Sequence, residues 1–140
     1  MQLTTALLSL LLTSSATVTA TTFNNFRDLT CQVWNGSYVT VTKTDLEQVV
    51  KNGYASASPL IPNASSLFFT DAEKKKCPSN SEDTYKWVNV PQWYAGYPKG
   101  PGEGAAVAVV YYKETDTYNL CRNMGNVQPN GYAGLCKEYL

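Results

Sequence analysis

Two cations and a set of tyrosines are the residues best suited to chemistry in this chain. Lys86 and Arg122 stand in β-prone segments, with Tyr85, Tyr94, Tyr97 and Tyr118 near them. Side by side on one sheet face, such a mixture would suit RNA phosphates and stacked bases. The plainer reading is two basic residues and some tyrosines on a solvated face. Trp93-Tyr94-Ala95-Gly96-Tyr97-Pro98, with Lys99 beyond it, is the best candidate for an exposed recognition loop, because core burial is hardest in a turn region. Glu103, Glu114 and Asp116 are the carboxylates nearest the central strands. A carboxylate pair can do acid–base work, but all three fall in turns. Lys74-Lys75-Lys76 reads as a solvated loop, with phosphate contact as the alternative. The chain has no histidine and no CxxC pair, so neither a metal nor a cofactor is expected.

The elements that must position these groups are organised around residues 84–112. Tyr85, Trp87, Val88 and Val90 form an apolar, β-prone run that stops at Pro91. Glycines and prolines at 96, 98, 100, 101, 102 and 104 then supply turn chemistry. Residues 105–112 are apolar throughout, the pattern of a strand buried on both faces. This strand is expected at the centre of an antiparallel sheet.

The rest of the chain supports an α+β domain. Residues 21–30 read as an arm or a first short strand, and 32–36 as a turn or hairpin. Residues 38–42 alternate as a half-buried strand does. Thr44-Asp45-Leu46-Glu47 reads as a capping box opening a helix over 45–52, with Leu46, Val49 and Val50 as its apolar stripe. Gly53 is its expected stop. A loop over 55–66, a short strand at 67–69 and a charged loop over 71–83 follow. Beyond the central stretch come a turn at 113–116, a strand at 117–122, a loop at 123–131 and a last strand at 132–136. On the strand, Tyr118, Leu120 and Arg122 are expected to share one face.

Residues 1–20 read as a secretion signal. A short leucine-rich core is followed by Val18-Thr19-Ala20, with small residues at the −3 and −1 positions of a cleavage site. The core is too short for a membrane span, and no second hydrophobic segment follows. Residues 21–140 are then a single domain of about 120 residues. It carries all eleven Lys/Arg and all eleven Asp/Glu, so it is formally neutral and has no global field to attract polyanions. Four cysteines in an exported chain imply two disulfides, with three possible pairings. Asn35-Gly36-Ser37 and Asn63-Ala64-Ser65 are glycosylation sequons at Asn35 and Asn63. Ten tyrosines and three tryptophans fit either a small core or a binding surface.

Across the whole of 21–140 the chain resembles the fungal guanyl-specific ribonucleases. The resemblance rests on Tyr85-Lys86-Trp87, Tyr94-Ala95-Gly96, Pro101-Gly102 and Val109-Val110-Tyr111, with Thr44-Asp45-Leu46 running to Asn52-Gly53-Tyr54 as the helix and its end. It implies one helix packed on an antiparallel sheet of about four strands with an N-terminal hairpin. It also implies the disulfides Cys31–Cys136 and Cys77–Cys121. The family's transesterification uses a glutamate base, histidines and an arginine to move protons and hold the phosphorane charge. Here Lys86 stands at the glutamate position, Asn63 at the first histidine, Ala108 near the arginine, and Arg122 or Asn123 at the second histidine.

That pattern is similar to the catalytically inactive ribonuclease-like secreted effectors of plant-pathogenic fungi. The expected function is therefore a secreted pseudo-ribonuclease, not an enzyme. It would bind a host protein, ribonucleoprotein or RNA as a monomer, away from membranes, and suppress plant immunity, with the host cytoplasm reached after translocation. The alternatives are an active ribonuclease or toxin with rearranged residues, and an unrelated disulfide-stapled binding protein. The residues expected to carry binding are Lys86, Arg122, Trp93, Tyr94, Tyr97 and Lys99.

Overall fold

A computed structural model describes residues 20–59, 85–98 and 104–138. Its elements are β1 (Thr22–Asn24), β2 (Leu29–Gln32), β3 (Tyr38–Val41), α1 (Lys43–Gly53), β4 (Ser58–Pro59), β5 (Tyr85–Asn89), β6 (Gly104–Tyr112) and β7 (Thr117–Asn126). Short 3-10 turns occupy Pro91–Trp93 and Lys113–Thr115. The protein is α+β, with one helix on a sheet of order β1-β7-β6-β5-β4; β4 adds only two residues at the edge. β2 and β3 form a separate antiparallel pair.

β6 lies at the centre of the large sheet, as its composition predicts. Ala105 to Val110 are all buried. Successive residues of a strand face opposite ways. Ala105, Val107 and Val109 join Leu46, Val50, Val88, Val90, Trp93 and Leu120 in the main core. Ala108 and Val110 pack on the other face with Cys121, Tyr85, Trp87 and Tyr112. β6 pairs antiparallel with both β5 and β7.

The sheet is mixed, not purely antiparallel. β1 runs parallel to β7, with Phe23 opposite Tyr118. β7 is also longer than its sequence pattern predicts, because 123–126 continues the strand. Asn and Gly usually disfavour strands, but tertiary hydrogen bonds win here. The Asn123 Nδ2 donates to the Glu138 carbonyl at 2.8 Å, and the Asn126 Nδ2 donates to the Trp93 carbonyl at 2.9 Å. Conversely, 132–136 is not a regular strand. It makes isolated bridges only, Val127 with Ala133 and Cys31 with Cys136. Its Gly134 N–H turns to the Asn126 carbonyl, and the Gly125 N–H turns to Gly134. The segment changes partner too quickly to hold one ladder.

The helix starts earlier than 45. Thr42, in extended conformation, is its N-cap, and its hydroxyl accepts from the Asp45 N–H at 3.2 Å. β3 ends at Val41, so Thr42 is the last residue free to stay non-helical; Thr44 already lies inside the first turn. Gly53 belongs to the helix rather than stopping it. Its function is close packing: a Cβ there would stand 3.1 Å from Val88 Cγ1.

One disulfide, Cys31–Cys136, is formed among the described residues, where two bridges were expected. Cys121 is also disulfide-bonded, while Cys77, its expected partner, lies outside the described residues. The expected strand at 67–69 lies outside them too. Among the described residues no helix is long and apolar enough to cross a membrane.

The Cys31–Cys136 bridge links residues 105 apart in sequence. Replacing both with serine should lower stability by about 3–5 kcal/mol, read from the urea midpoint of unfolding. A loss under about 1 kcal/mol would show that the C-terminal segment is held without it.

Candidate protein-binding surface

The two cations singled out in the sequence do not meet. Lys86 pairs with Val109, and Arg122 pairs with Ala108. Val109 and Ala108 are consecutive in β6, so the two side chains lie on opposite faces of the sheet. The cause is a β-bulge: Ala108 matches Arg122 but Val109 matches Leu120, leaving Cys121 as the extra residue. The bulge breaks the even alternation, so Arg122 does not share the face of Tyr118 and Leu120. Lys86 is committed to local structure. Its Nζ donates to the Tyr54 and Ala55 carbonyls at 3.1 and 3.3 Å, beyond the helix end, and lies 4.7 Å from the Tyr54 ring centre. This suits a cation at the negative end of a helix.

Trp93 is not a recognition residue on the surface. It is fully buried, and its Nε1 donates to the Val39 carbonyl at 3.0 Å. A turn sequence suggested exposure, but the 3-10 turn folds the indole inward, under β3. Tyr94 is half-buried, and burial raises its pKa. Tyr97 is half-buried and meets Trp34 edge-on at 5.2 Å. Lys99, Asn63, Glu103 and the 74–76 lysines lie outside the described residues. Asn35 is exposed in the β2–β3 turn, its Oδ1 accepting from the Ser37 N–H at 3.0 Å.

The carboxylates separate as well. Glu114 is exposed, whereas Asp116 is built into the end of the β6–β7 turn. It accepts the Tyr111 hydroxyl at 2.7 Å and the Thr21 hydroxyl at 2.8 Å. These bonds hold its carboxyl below the usual range, and the Tyr111 hydroxyl is pushed up to about 12, chiefly by the bond to Asp116. Tyr111, Tyr118 and Tyr54 form a mutual cluster, with ring centres 4.5 to 5.9 Å apart. Rings this close fill the space between them, so the cluster is packing rather than an open cage. Among the described residues, no three of His, Cys, Asp and Glu gather as a metal site.

The surface that remains lies on the outer side of β2, β3 and the C-terminal segment. Cys31 and Cys136 point inward, so their neighbours point out. The Gln32 N–H donates to the Leu135 carbonyl, and the Leu135 N–H donates to the Gln32 Oε1, both at 2.8 Å. Gln32 stands opposite Tyr38 in the ladder. The chain thus brings Tyr38, Leu135 and Tyr132 into one neighbourhood, and these are its large exposed hydrophobics among the described residues, at 41, 56 and 75 % exposure. Gln32, Gln128, Pro129, Asn130, Tyr132, Ala133 and Leu135 line a hollow of about 530 Å³ there. Lys137 lies over the Tyr38 ring at 4.9 Å. The Gln128 Nε2 is fixed by the Val33 and Asn126 carbonyls at 2.8 and 2.9 Å, so the floor of the hollow is tied to the core.

None of Tyr38, Tyr132 and Leu135 is among the expected site residues. A signal was present: Tyr132 sits between Gly131 and Ala133-Gly134, whose side chains are too small to cover it. Comparison with protein-family models, with curated proteins and with solved structures finds no match.

Lys86 and the Tyr132–Leu135 pair should respond oppositely to substitution. Lys86→Met removes charged hydrogen bonds at the helix end and should cost about 1–2 kcal/mol in urea unfolding. Tyr132→Ala with Leu135→Ser should change stability by less than about 0.5 kcal/mol. The reverse pattern would exchange their assigned roles.

Proposed function

We propose that this protein is a secreted, non-catalytic effector of the ribonuclease-like kind, which binds a host protein through the outer face of β2, β3 and the 129–137 segment. The observation that carries the reading is that Tyr132 and Leu135, both exposed, line one hollow, with exposed Tyr38 opposite Gln32 of its lining. Exposed aromatics with an amide rim are the composition of protein-binding centres. RNA is the weaker choice of partner. Lys86 and Arg122 stand on opposite faces, so they cannot jointly hold a phosphate run.

The residues at the family's catalytic positions also favour binding without turnover. Lys86 spends its ammonium on backbone carbonyls. Ala108 is fully buried among apolar side chains. A second bridge, Cys77–Cys121, belongs to this reading, as does a monomer that suppresses immunity inside host cells.

Two measurements test it. Immobilised protein in plant extract should retain a protein by saturable binding, and Tyr132→Ala with Leu135→Ser should weaken it at least tenfold. Incubation with RNA should give no turnover above buffer. Equal retention by the variant would reject the surface, and RNA turnover abolished by Lys86→Ala would reject the non-catalytic reading.

A further inference from the structure

Asp116 receives the start of the domain at two points besides its bond to Tyr111. The Thr21 hydroxyl donates to Asp116 Oδ2 at 2.8 Å, and the Thr22 N–H donates to the Asp116 carbonyl at 3.0 Å. Beyond them β1 lies parallel on β7 for three residues, and Phe23 stacks on Tyr118 with ring centres 5.5 Å apart. Ala20, one residue earlier, is exposed. It is also the residue after which the small-residue pattern predicts signal cleavage.

We propose that Asp116 is a built receiving site for the chain's own α-ammonium, which cleavage after Ala20 creates on Thr21. Within one threonine the nitrogen and Oγ1 are roughly 3–4 Å apart, from standard bond lengths and staggered rotamers. The new charge therefore arises no more than roughly 7 Å from the carboxylate oxygen that already accepts the Thr21 hydroxyl, and a staggered rotamer that brings the nitrogen nearer closes the distance. An opposite charge within about 4–6 Å favours the ionised form of both groups. In the precursor the same nitrogen is a neutral amide and makes no such pair. Maturation thereby adds a charge contact to a parallel edge strand of three residues, the kind of pairing that is weak alone.

The charged and titratable groups around the site are known. Tyr111 holds the other carboxylate oxygen, and Tyr118 and Tyr54 stand behind it. Lys51 acts on Asp116 from α1, and the exposed Lys113 and Glu114 belong to the same turn. The α-amino group so paired has a raised pKa. Its contribution to stability is full below the ordinary value and is lost as pH rises through the raised one.

The inference rests on the cleavage reading, so the test establishes the N-terminus first. The full chain is expressed in a secreting eukaryotic host, and intact mass locates the start of the protein in the medium. The α-amino pKa is then read by NMR from the pH dependence of the Thr21 13C shifts of the isotope-labelled, unmodified protein. The expected result is a chain starting at Thr21 whose α-amino pKa lies at least about 0.5 above the ordinary 7.7–8.0. Asp116→Asn, which tolerates the left-handed backbone at φ 47°, should return it to the ordinary range. One glycine inserted between Ala20 and Thr21 should do the same, without touching the folded chain. A secreted chain starting elsewhere would overturn the proposal through the cleavage. A chain starting at Thr21 with an ordinary pKa, or one indifferent to both variants, would overturn it through the site.

Discussion

The whole structure depends on β6 being sealed on both faces. Ala105 to Val110 are buried without exception, three of them toward α1 and the main core and three toward the opposite face. A strand in that position accepts no charge, because an unpaired ion there would cost several kcal/mol. The cations opposite its middle, Lys86 and Arg122, belong to β5 and β7, and the other polar contacts gather toward the two ends of the sheet. At one end lie Tyr111, Asp116 and Thr21. At the other lie Asn123, Asn126 and the C-terminal segment.

The second end produces the surface proposed for binding. Gly125 and Gly134 allow β7 and the C-terminal segment to touch backbone to backbone; a Cβ on Gly134 would collide with the Asn126 carbonyl, and one on Gly125 would come within 2.9 Å of the Gln32 carbonyl. That closeness lets Leu135 and Lys137 pair with β2 on either side of the Cys31–Cys136 bridge. With the cysteines turned inward, Leu135 must turn outward beside Gln32 and Tyr38. The exposed hydrophobics are thus a geometric consequence of how the chain ends are tied together. Large apolar side chains presented to water by a rigid frame are poised for a partner, because little ordering entropy remains to be lost on binding.

Much of the frame was legible in the sequence. The unbroken apolar run of β6 has one physical reading, and the stripe Leu46, Val49, Val50 locates α1. Features set by tertiary contact were not legible. Thr42 caps the helix in place of Thr44 because β3 ends where it does. β1 pairs in parallel because Asp116 catches its start. Residues 123–126 look like a loop but are extended by hydrogen bonds to Trp93 and Glu138. The candidate site fared worse, since one bulged residue, Cys121, decides which face Arg122 takes. Pattern reading assumes even alternation, and a single extra residue inverts it. Trp93 was misplaced because turn composition describes the backbone and not the direction of the indole.

The central claim is that the middle of β6 is packed shut on both faces. Ala108→Arg tests it most directly, since it puts a long charged side chain at the centre of that strand. With Ala108 enclosed by Val110, Cys121, Tyr85, Trp87 and Tyr112, the account predicts a loss of about 3–5 kcal/mol or outright unfolding in urea titration. A variant that keeps the unfolding midpoint of the parent protein would contradict it, because the strand would then have room for a charge and the sheet room for a site.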